Sequence, residues 1–372
     1  MIRKSSNKDI SSLNTFRMKV KAALYLEYDY PEDLLKIDWN ALPRPVVQIG
    51  SGSNLLFTGD FPGTLVHSNV DGIDVVESRS SGNDVFVHVG AGIEMDELCH
   101  WAALKGLWGP ENLSGIPGSV GASAVQNVGA YGVEAGDIID SVECFDIQEG
   151  KFVLLSAADC AFAYRDSYFK HHRGRYAITG VVFRFSGEFM PRLDYGNLRS
   201  EVERNVELST PASDPYNILF AGSPGRTMPL TPMLVRNTVR VIREAKLPDP
   251  KKTGSAGSFF KNPVVPADVF AGVEAAAVKL SVADGGPSEV EVPHFELPGA
   301  MVKVPAAWLI DRCALKDSRI GGAAVWEKQP LVIVNATGKA TPEDVLALEK
   351  KIVDTVHDTF GITLSPEVDH IA

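Results

Sequence analysis

Two stretches of this chain combine residue types suited to gripping a polar ligand through its backbone. The first is Gly50-Ser51-Gly52-Ser53-Asn54-Leu55, set directly behind the apolar run Val46-Val47-Gln48-Ile49. A strand that ends in a Gly/Ser turn exposes consecutive N–H groups, and such a nest holds anions. The spacing is not G-x-x-x-x-G-K-[ST], so it is not a nucleotide-triphosphate P-loop. The second stretch runs from Gly109 to Gly132, GPENLSGIPGSVGASAVQNVGAYG, with no charge after Glu111. Its glycines predict no helix or strand longer than a few residues. Its small residues leave N–H and C=O groups uncovered, and glycine lets a backbone approach another molecule closely. Ile116, Val120, Val125 and Val128 recur too regularly for a plain surface loop. The pattern reads as a backbone wall against a flat, polar-edged ligand.

Composition narrows the classes. A length of 372 residues predicts two or three domains. The net charge of −11 argues against broad nucleic-acid binding, which needs a basic face. Cys99, Cys144, Cys160 and Cys313 lie far apart with no C-x-x-C, which suits reduced thiols and neither a disulfide scaffold nor a zinc site; no metal is expected. The start, MIRKSSNKDISSLNTF, lacks the apolar core of a signal peptide. No run of about 18 apolar residues is present to span a membrane. A cytoplasmic protein is the expectation.

The positioning elements follow from periodicity and end signals. Residues 14–77 read as a small α/β unit. Asp84 to Val89 is a strand, Gly90-Ala91-Gly92 a tight turn, and Met95 to Lys105 a helix with acids at its start and Gly106 after its end. This imitates a Rossmann start, but the third glycine is absent, so the turn is read as structural. Ser141–Asp146 and Phe152–Leu155 form a hairpin through Glu149-Gly150, and Ala177–Phe183 is a further strand. The basic run 170–175 reads as a solvated face. Residues 205–235 are proline-rich and read as a surface insertion. A helix from Leu234 to Ala245 leads through Lys246-Leu247-Pro248-Asp249-Pro250 into a last α+β domain. There a helix starts near Pro305, Leu331–Val334 is a strand, and Thr341-Pro342-Glu343-Asp344 opens a helix that Gly361 stops. Ile362–Leu364 is expected as a strand. The expected domains are 14–77, 78–245 and 246–372.

Taken together, the motifs resemble the UDP-N-acetylenolpyruvoylglucosamine reductase family, across roughly 14–200 and 245–370. The residues that carry the resemblance are Asn14-Thr15-Phe16, the GSGSNLLF turn, the Ile116–Gly132 stretch, Tyr164-Arg165-Asp166-Ser167, GSFFKNP from Gly257, Ile320-Gly321-Gly322-Ala323, and Ser365-Pro366-Glu367-Val368. Leu193 to Leu198 is similar to the tyrosine-bearing loop of type I members. The resemblance implies an α+β chain: a two-part FAD-binding module of the vanillyl-alcohol-oxidase (PCMH) type, then a substrate-binding α+β domain. It implies non-covalent FAD, NADPH as hydride donor, and reduction of the enolpyruvyl group of UDP-N-acetylglucosamine enolpyruvate by a monomer. It assigns cofactor contacts to Gly50, Ser51, Gly52, Ser53, Asn54, Leu55, Ile116, Pro117, Gly118, Ser119, Gly121, Ala122, Gln126 and Asn127. Substrate contacts fall on Tyr164, Tyr195, Lys246, Asn262, Lys316 and Gln329.

The catalytic roles it assigns are to Arg165, Ser258 and Glu367. Hydride addition to the methylene carbon builds charge on the carboxylate-bearing fragment, which must be stabilised and then protonated. Arg165 is a permanently charged fork for that carboxylate. Ser258 would deliver a proton, and Glu367 would share one with the substrate. Without the resemblance the same residues read as half of an Arg–Asp pair with Asp166 or another acid, a turn serine, and a strand-end surface acid. Ser51, Ser365 and Asp369 depart from the family pattern, which has glycine, glutamate and arginine at these places. Two other readings compete: a flavin oxidase on the same scaffold, and a nucleotide-binding protein without catalysis.

Overall fold

A computed structural model describes residues 1–209 and 230–372. Residues 210–229, most of the expected proline-rich insertion, lie outside the described residues; the helices Leu198–Ser209 and Pro232–Lys246 flank them. The chain forms two compact units. One contains Met1–Lys8, Ala22–Ser51 and Pro62–Ala245; the other contains Asp9–Lys21, Gly52–Phe61 and Lys246–Ala372.

The first unit is built on a five-stranded antiparallel sheet in the order Lys151–Ser156, Ile139–Asp146, Tyr176–Ser186, Asp84–Gly90, Ile73–Val75. Tyr176–Ser186 is central because it is apolar on both faces: Ala177, Ile178, Val181, Val182 and Phe183 are all buried. At the edge, Lys151–Ser156 alternates between partly covered and exposed residues. Ile73–Val75 pairs with Val87–Val89, so the sheet runs across residue 77 without a break. The helix Met95–Leu104 buries Met95, Leu98, Cys99 and Ala102 against this sheet's core. A second sheet orders Ile2–Asp9, Lys21–Tyr28, Phe61–Ser68 and Val46–Ile49, and its last two strands are parallel.

Within the glycine-rich stretch the expectation of no helix or strand longer than a few residues fails at Val120–Gln126, which is a seven-residue helix. Small residues make it possible. Gly121 donates its N–H to Ala91 O at 3.0 Å, and a Cβ on Gly121 would meet the Ala91 Cβ at 3.0 Å. Ser119 caps the start and Asn127, in the left-handed region at φ 45°, ends it.

The second unit holds a four-stranded sheet in the order Gly254–Ser258, Gln329–Asn335, Ala323–Trp326, Arg319–Ile320, and a three-stranded one of Val264–Pro266, Met301–Lys303 and Phe295–Leu297. Its helices are Ala267–Ala283, Ala306–Arg312 and Pro342–Phe360. The expected strand at Ile362–Leu364 is not one. Ile362 and Leu364 are buried in alternation, but they have no ladder partner; the strand forms later, at Asp369–Ile371, parallel to Leu55–Phe57.

The helix Pro342–Phe360 starts as its sequence predicts. Thr341 Oγ1 accepts from Asp344 N–H at 3.2 Å, and Asp344 accepts from Thr341 N–H at 3.1 Å. Asp344 also accepts from Gly322 N–H at 2.9 Å. A Cβ on Gly321 would lie 2.0 Å from Asp344 Oδ1, so the Gly321-Gly322 pair is a turn packed onto this cap. Thr341→Ala should lower stability by about 1 kcal/mol in denaturant titrations, with the midpoint shifted and the slope unchanged.

Candidate active site

The first unit carries the backbone wall. Buried Ile49 ends its strand and the chain turns at Gly50-Ser51. A Cβ on Gly50 would sit 2.5 Å from Ser119 Oγ and 2.9 Å from Ala122 Cβ, so only glycine lets the turn lie on the start of the Val120–Gln126 helix. Ser51 is outside the left-handed region, which removes the conformational objection to serine here. The Gly90-Ala91-Gly92 turn is structural, as read: a Cβ on Gly90 or Gly92 would strike the backbone of Val70 or Ser68 at 2.4 and 2.7 Å. Gln126 presents a buried Nε2 donor that has no hydrogen-bond partner among the described residues. An orphaned donor beside a glycine-lined backbone fits a flat cofactor with acceptor atoms on its edge. Asn127 is different. Its amide donates to Glu134 and to Ala163 O, and its Oδ1 accepts from Gly136 N–H at 2.8 Å, so it positions neighbouring backbone.

Tyr164 and Arg165 form the tip of a two-residue hairpin turn closed by Ala163 and Asp166. Arg165 has φ 54°, stands 5.2 Å from the Tyr164 ring, and donates to Gly129 O at 2.8 Å. The guanidinium is thus held against the glycine-rich stretch. Asp166 instead accepts from His171 at 2.8 Å and from Ser167 N–H. Tyr195 is exposed and packs edge-on to Tyr131 at 6.1 Å, with its Cβ beside Gly132.

The second unit gathers the other motifs into one knot. Thr15 Oγ1 donates to Ser255 O at 2.6 Å and its N–H donates to Gly52 O at 3.1 Å, which ties Gly52 to the Gly254–Ser258 strand. Gly52, at φ 61°, must be glycine because a Cβ would lie 2.1 Å from Leu13 O. Asn54 donates from Nδ2 to Glu367 O at 3.0 Å and accepts from Asp369 N–H at 3.0 Å. Glu367 N–H in turn donates to Phe259 O at 2.8 Å. Ser258 and Glu367 are therefore brought together on adjoining backbones, half-buried, despite their separation in sequence. Gly257, at φ 73°, lies in the irregularity that places Ser258 opposite Val332.

The substrate candidates of this unit fall in three places. Asn262 accepts from Ala306 N–H at 2.9 Å, fixing the start of the Ala306–Arg312 helix. Lys246 accepts from Trp326 Nε1 at its carbonyl, and Trp326 pairs with Gln329, so Lys246 and Gln329 share one corner. Lys316 stands exposed on the turn after the Ala306–Arg312 helix, and no bond joins it to the others.

Three residues escaped sequence reasoning. Glu94 accepts from Ser51 Oγ at 2.6 Å and from Gly118 N–H at 3.3 Å. Arg243 donates to Gly115 O at 3.2 Å, and burial holds its pKa below the usual guanidinium range. Its only advance signal is the Arg236, Arg240, Arg243 spacing, which puts three cations on one helix face. Thr15 sat in a motif without an assigned role.

Comparison with known proteins decides the family. Residues 249–371 match the model for the C-terminal domain of UDP-N-acetylenolpyruvoylglucosamine reductase, and residues 38–156 match an FAD binding domain. The chain is 40% identical to the UDP-N-acetylenolpyruvoylglucosamine reductase of Bacteroides fragilis over 362 residues, covering 97% of this chain and 98% of that one. It is 43% identical to the Neisseria gonorrhoeae reductase, covering 96% and 95%. This chain belongs to the UDP-N-acetylenolpyruvoylglucosamine reductase family. The crystal structure of the Thermus caldophilus reductase has the same fold, with a TM-score of 0.62 at 21% identity over 100% of this chain and 99% of that one. The reductase family thus accounts for an α+β chain in which an FAD-binding module precedes a C-terminal domain.

Two outcomes follow for this reductase-family chain. Gly50→Ala should lower stability by about 1–3 kcal/mol through overpacking on Ser119 and Ala122, and the protein should purify with a lower flavin-to-protein absorbance ratio. The second concerns pH. His370 pairs with Glu349 at 3.2 Å, and that bond raises the His370 pKa above 6.5 against the opposing effect of burial. A raised histidine pKa adds stability at low pH that is lost as pH rises from about 6.5 through the folded value. Thermal melts should therefore show wild type losing more stability than His370→Asn as pH rises from about 6 to about 8.

Proposed function

We propose that Arg165, Ser258 and Glu367 carry the acid chemistry of an FAD-dependent oxidoreductase that reduces the enolpyruvyl group of UDP-N-acetylglucosamine enolpyruvate to the lactyl ether of UDP-N-acetylmuramate, in peptidoglycan precursor synthesis. Family membership over nearly the whole chain carries the reaction class. The observation that carries the residue assignment is the Phe259 O to Glu367 N–H bond, which sets Ser258 beside Glu367. FAD, when bound, would supply the hydride-transfer chemistry that links NADPH to the substrate.

The chain's own residues do the rest. Arg165 pairs with the substrate carboxylate as a fixed charge and stabilises the enolate-like fragment that hydride addition produces. Ser258 gives the proton to the adjacent carbon. Its hydroxyl ionises too reluctantly to act alone, so a neighbouring group or water must restore its proton. Glu367 shares a proton with the substrate carboxylate. In this reading the cofactor contacts are Gly50–Leu55, Ile116–Gly118, Ser119, Gly121, Ala122, Gln126 and Asn127. Lys246 and Lys316 meet the substrate diphosphate as mobile point charges. Tyr164, Tyr195, Asn262 and Gln329 complete the substrate contacts. In this reading 14–77 and 78–245 divide the cofactor module, 246–372 binds substrate, and the enzyme acts as a cytoplasmic monomer. Among the described residues no helix is long and apolar enough to cross a membrane.

Ser258→Ala should leave bleaching of the flavin by NADPH intact and slow re-oxidation by the enolpyruvyl sugar nucleotide by about a hundred- to ten-thousand-fold. Anaerobic stopped-flow absorbance separates the two half-reactions. Unchanged re-oxidation would remove Ser258 from the mechanism, and rapid re-oxidation by oxygen alone would favour an oxidase.

A further inference from the structure

Two acids at the start of the Met95–Leu104 helix reach the glycine-rich stretch, and they do so differently. Asp96 accepts from Gly115 N–H at 2.7 Å and is locked by Arg236 at 2.9 Å, a guanidinium that is almost fully buried. Glu94 is exposed, and among the described residues no cation pairs with it. Its carboxylate spans two segments: Ser51 Oγ donates to Oε1 at 2.6 Å and Gly118 N–H donates to Oε2 at 3.3 Å. Its backbone is held beside Ser119 by a β-bridge and by the Gly118 O to Met95 N–H bond, so the side chain starts from a fixed base and its exposed end is held only by these two hydrogen bonds among the described residues.

Ser51 and Gly118 are both in segments assigned above to the cofactor. A dinucleotide's diphosphate seated on these segments needs the same donors, and its charge has the same sign as Glu94. We propose that Glu94 is an internal competitor for the cofactor diphosphate: its carboxylate latches the Gly50-Ser51 turn to Gly118, and it must release these donors for FAD to bind. The latch sets how tightly FAD is held without touching the reacting atoms. Asp96 does not share this role, because the buried Arg236 balances its charge and holds its other oxygen at 2.9 Å.

The inference rests on the cofactor reading of Ser51 and Gly118, and the test separates the two. Flavin-free protein is titrated with FAD, following flavin fluorescence, for wild type, Glu94→Gln and Glu94→Ala. Folding of each variant is checked by circular dichroism. A neutral acceptor is weaker than a charged one, so Glu94→Gln should bind FAD about five-fold more tightly, and Glu94→Ala at least as tightly. The melting temperature of the flavin-free variants should fall below that of flavin-free wild type, because the latch is lost. If folded Glu94→Gln and Glu94→Ala bind FAD no more tightly than wild type, Glu94 is no competitor. If wild type itself binds no FAD, the cofactor reading fails instead.

Discussion

Asn54 makes the contact that the C-terminal unit depends on. Its side chain holds the Glu367 carbonyl, 313 positions away in sequence, and its own carbonyl holds the Asp369 N–H. Through these bonds the Gly52–Asn54 segment, the Phe259 backbone and the acid of the Pro366-Glu367-Val368 motif occupy fixed places in one unit. Thr15 adds the second tie, between Gly52 and Ser255. Each bond alone is worth about 0.5–1.5 kcal/mol. Their combined effect is geometric: they fix two backbone segments that a proton-transfer site needs within reach of each other.

Glycine does two separate jobs in the other unit. Gly50, Gly90, Gly92 and Gly121 are places where a Cβ would strike a neighbouring segment, so they permit close packing of one backbone on another. In the 115–122 region the same absence of side chains lets other segments reach the backbone: Asp96 accepts from Gly115 N–H, Glu94 from Gly118 N–H, and Ala91 O from Gly121 N–H. Packing and access to the backbone come from one compositional choice. Arg165 depends on it as well, since its guanidinium lies against Gly129, where a Cβ would be 2.9 Å from Nη1.

Local features were legible in the sequence wherever local forces decide. The Pro342–Phe360 helix could be read because its cap, its apolar face and Gly361 agree. The hairpin of Ile139–Asp146 and Lys151–Ser156 could be read from its alternation and turn. Val120–Gln126 could not, because its stability comes from fitting tightly on Ala91, which propensity does not record. Ile362 and Leu364 misled for a related reason: period-two burial reports which side faces inward, and says nothing of a ladder partner. The site divides in the same way. The Gly/Ser turn and the glycine-rich stretch announce themselves by composition. Glu367 beside Ser258, and Glu94 across Ser51 and Gly118, depend on contacts between distant segments that no local pattern encodes.

The two compact units interleave along the chain, which changes unit at 8/9, 21/22, 51/52, 61/62 and 245/246. This governs the order of folding during synthesis. The Leu55–Phe57 strand emerges early, but its parallel partner Asp369–Ile371 is made more than 300 residues later, as is the Glu367 carbonyl that Asn54 holds. Until then Leu56 and Phe57, both fully buried in the finished fold, have no ladder to join. The C-terminal unit is thus completed by a closing step that waits for the last motif, and a nascent chain halted before Glu367 carries a waiting, apolar strand edge.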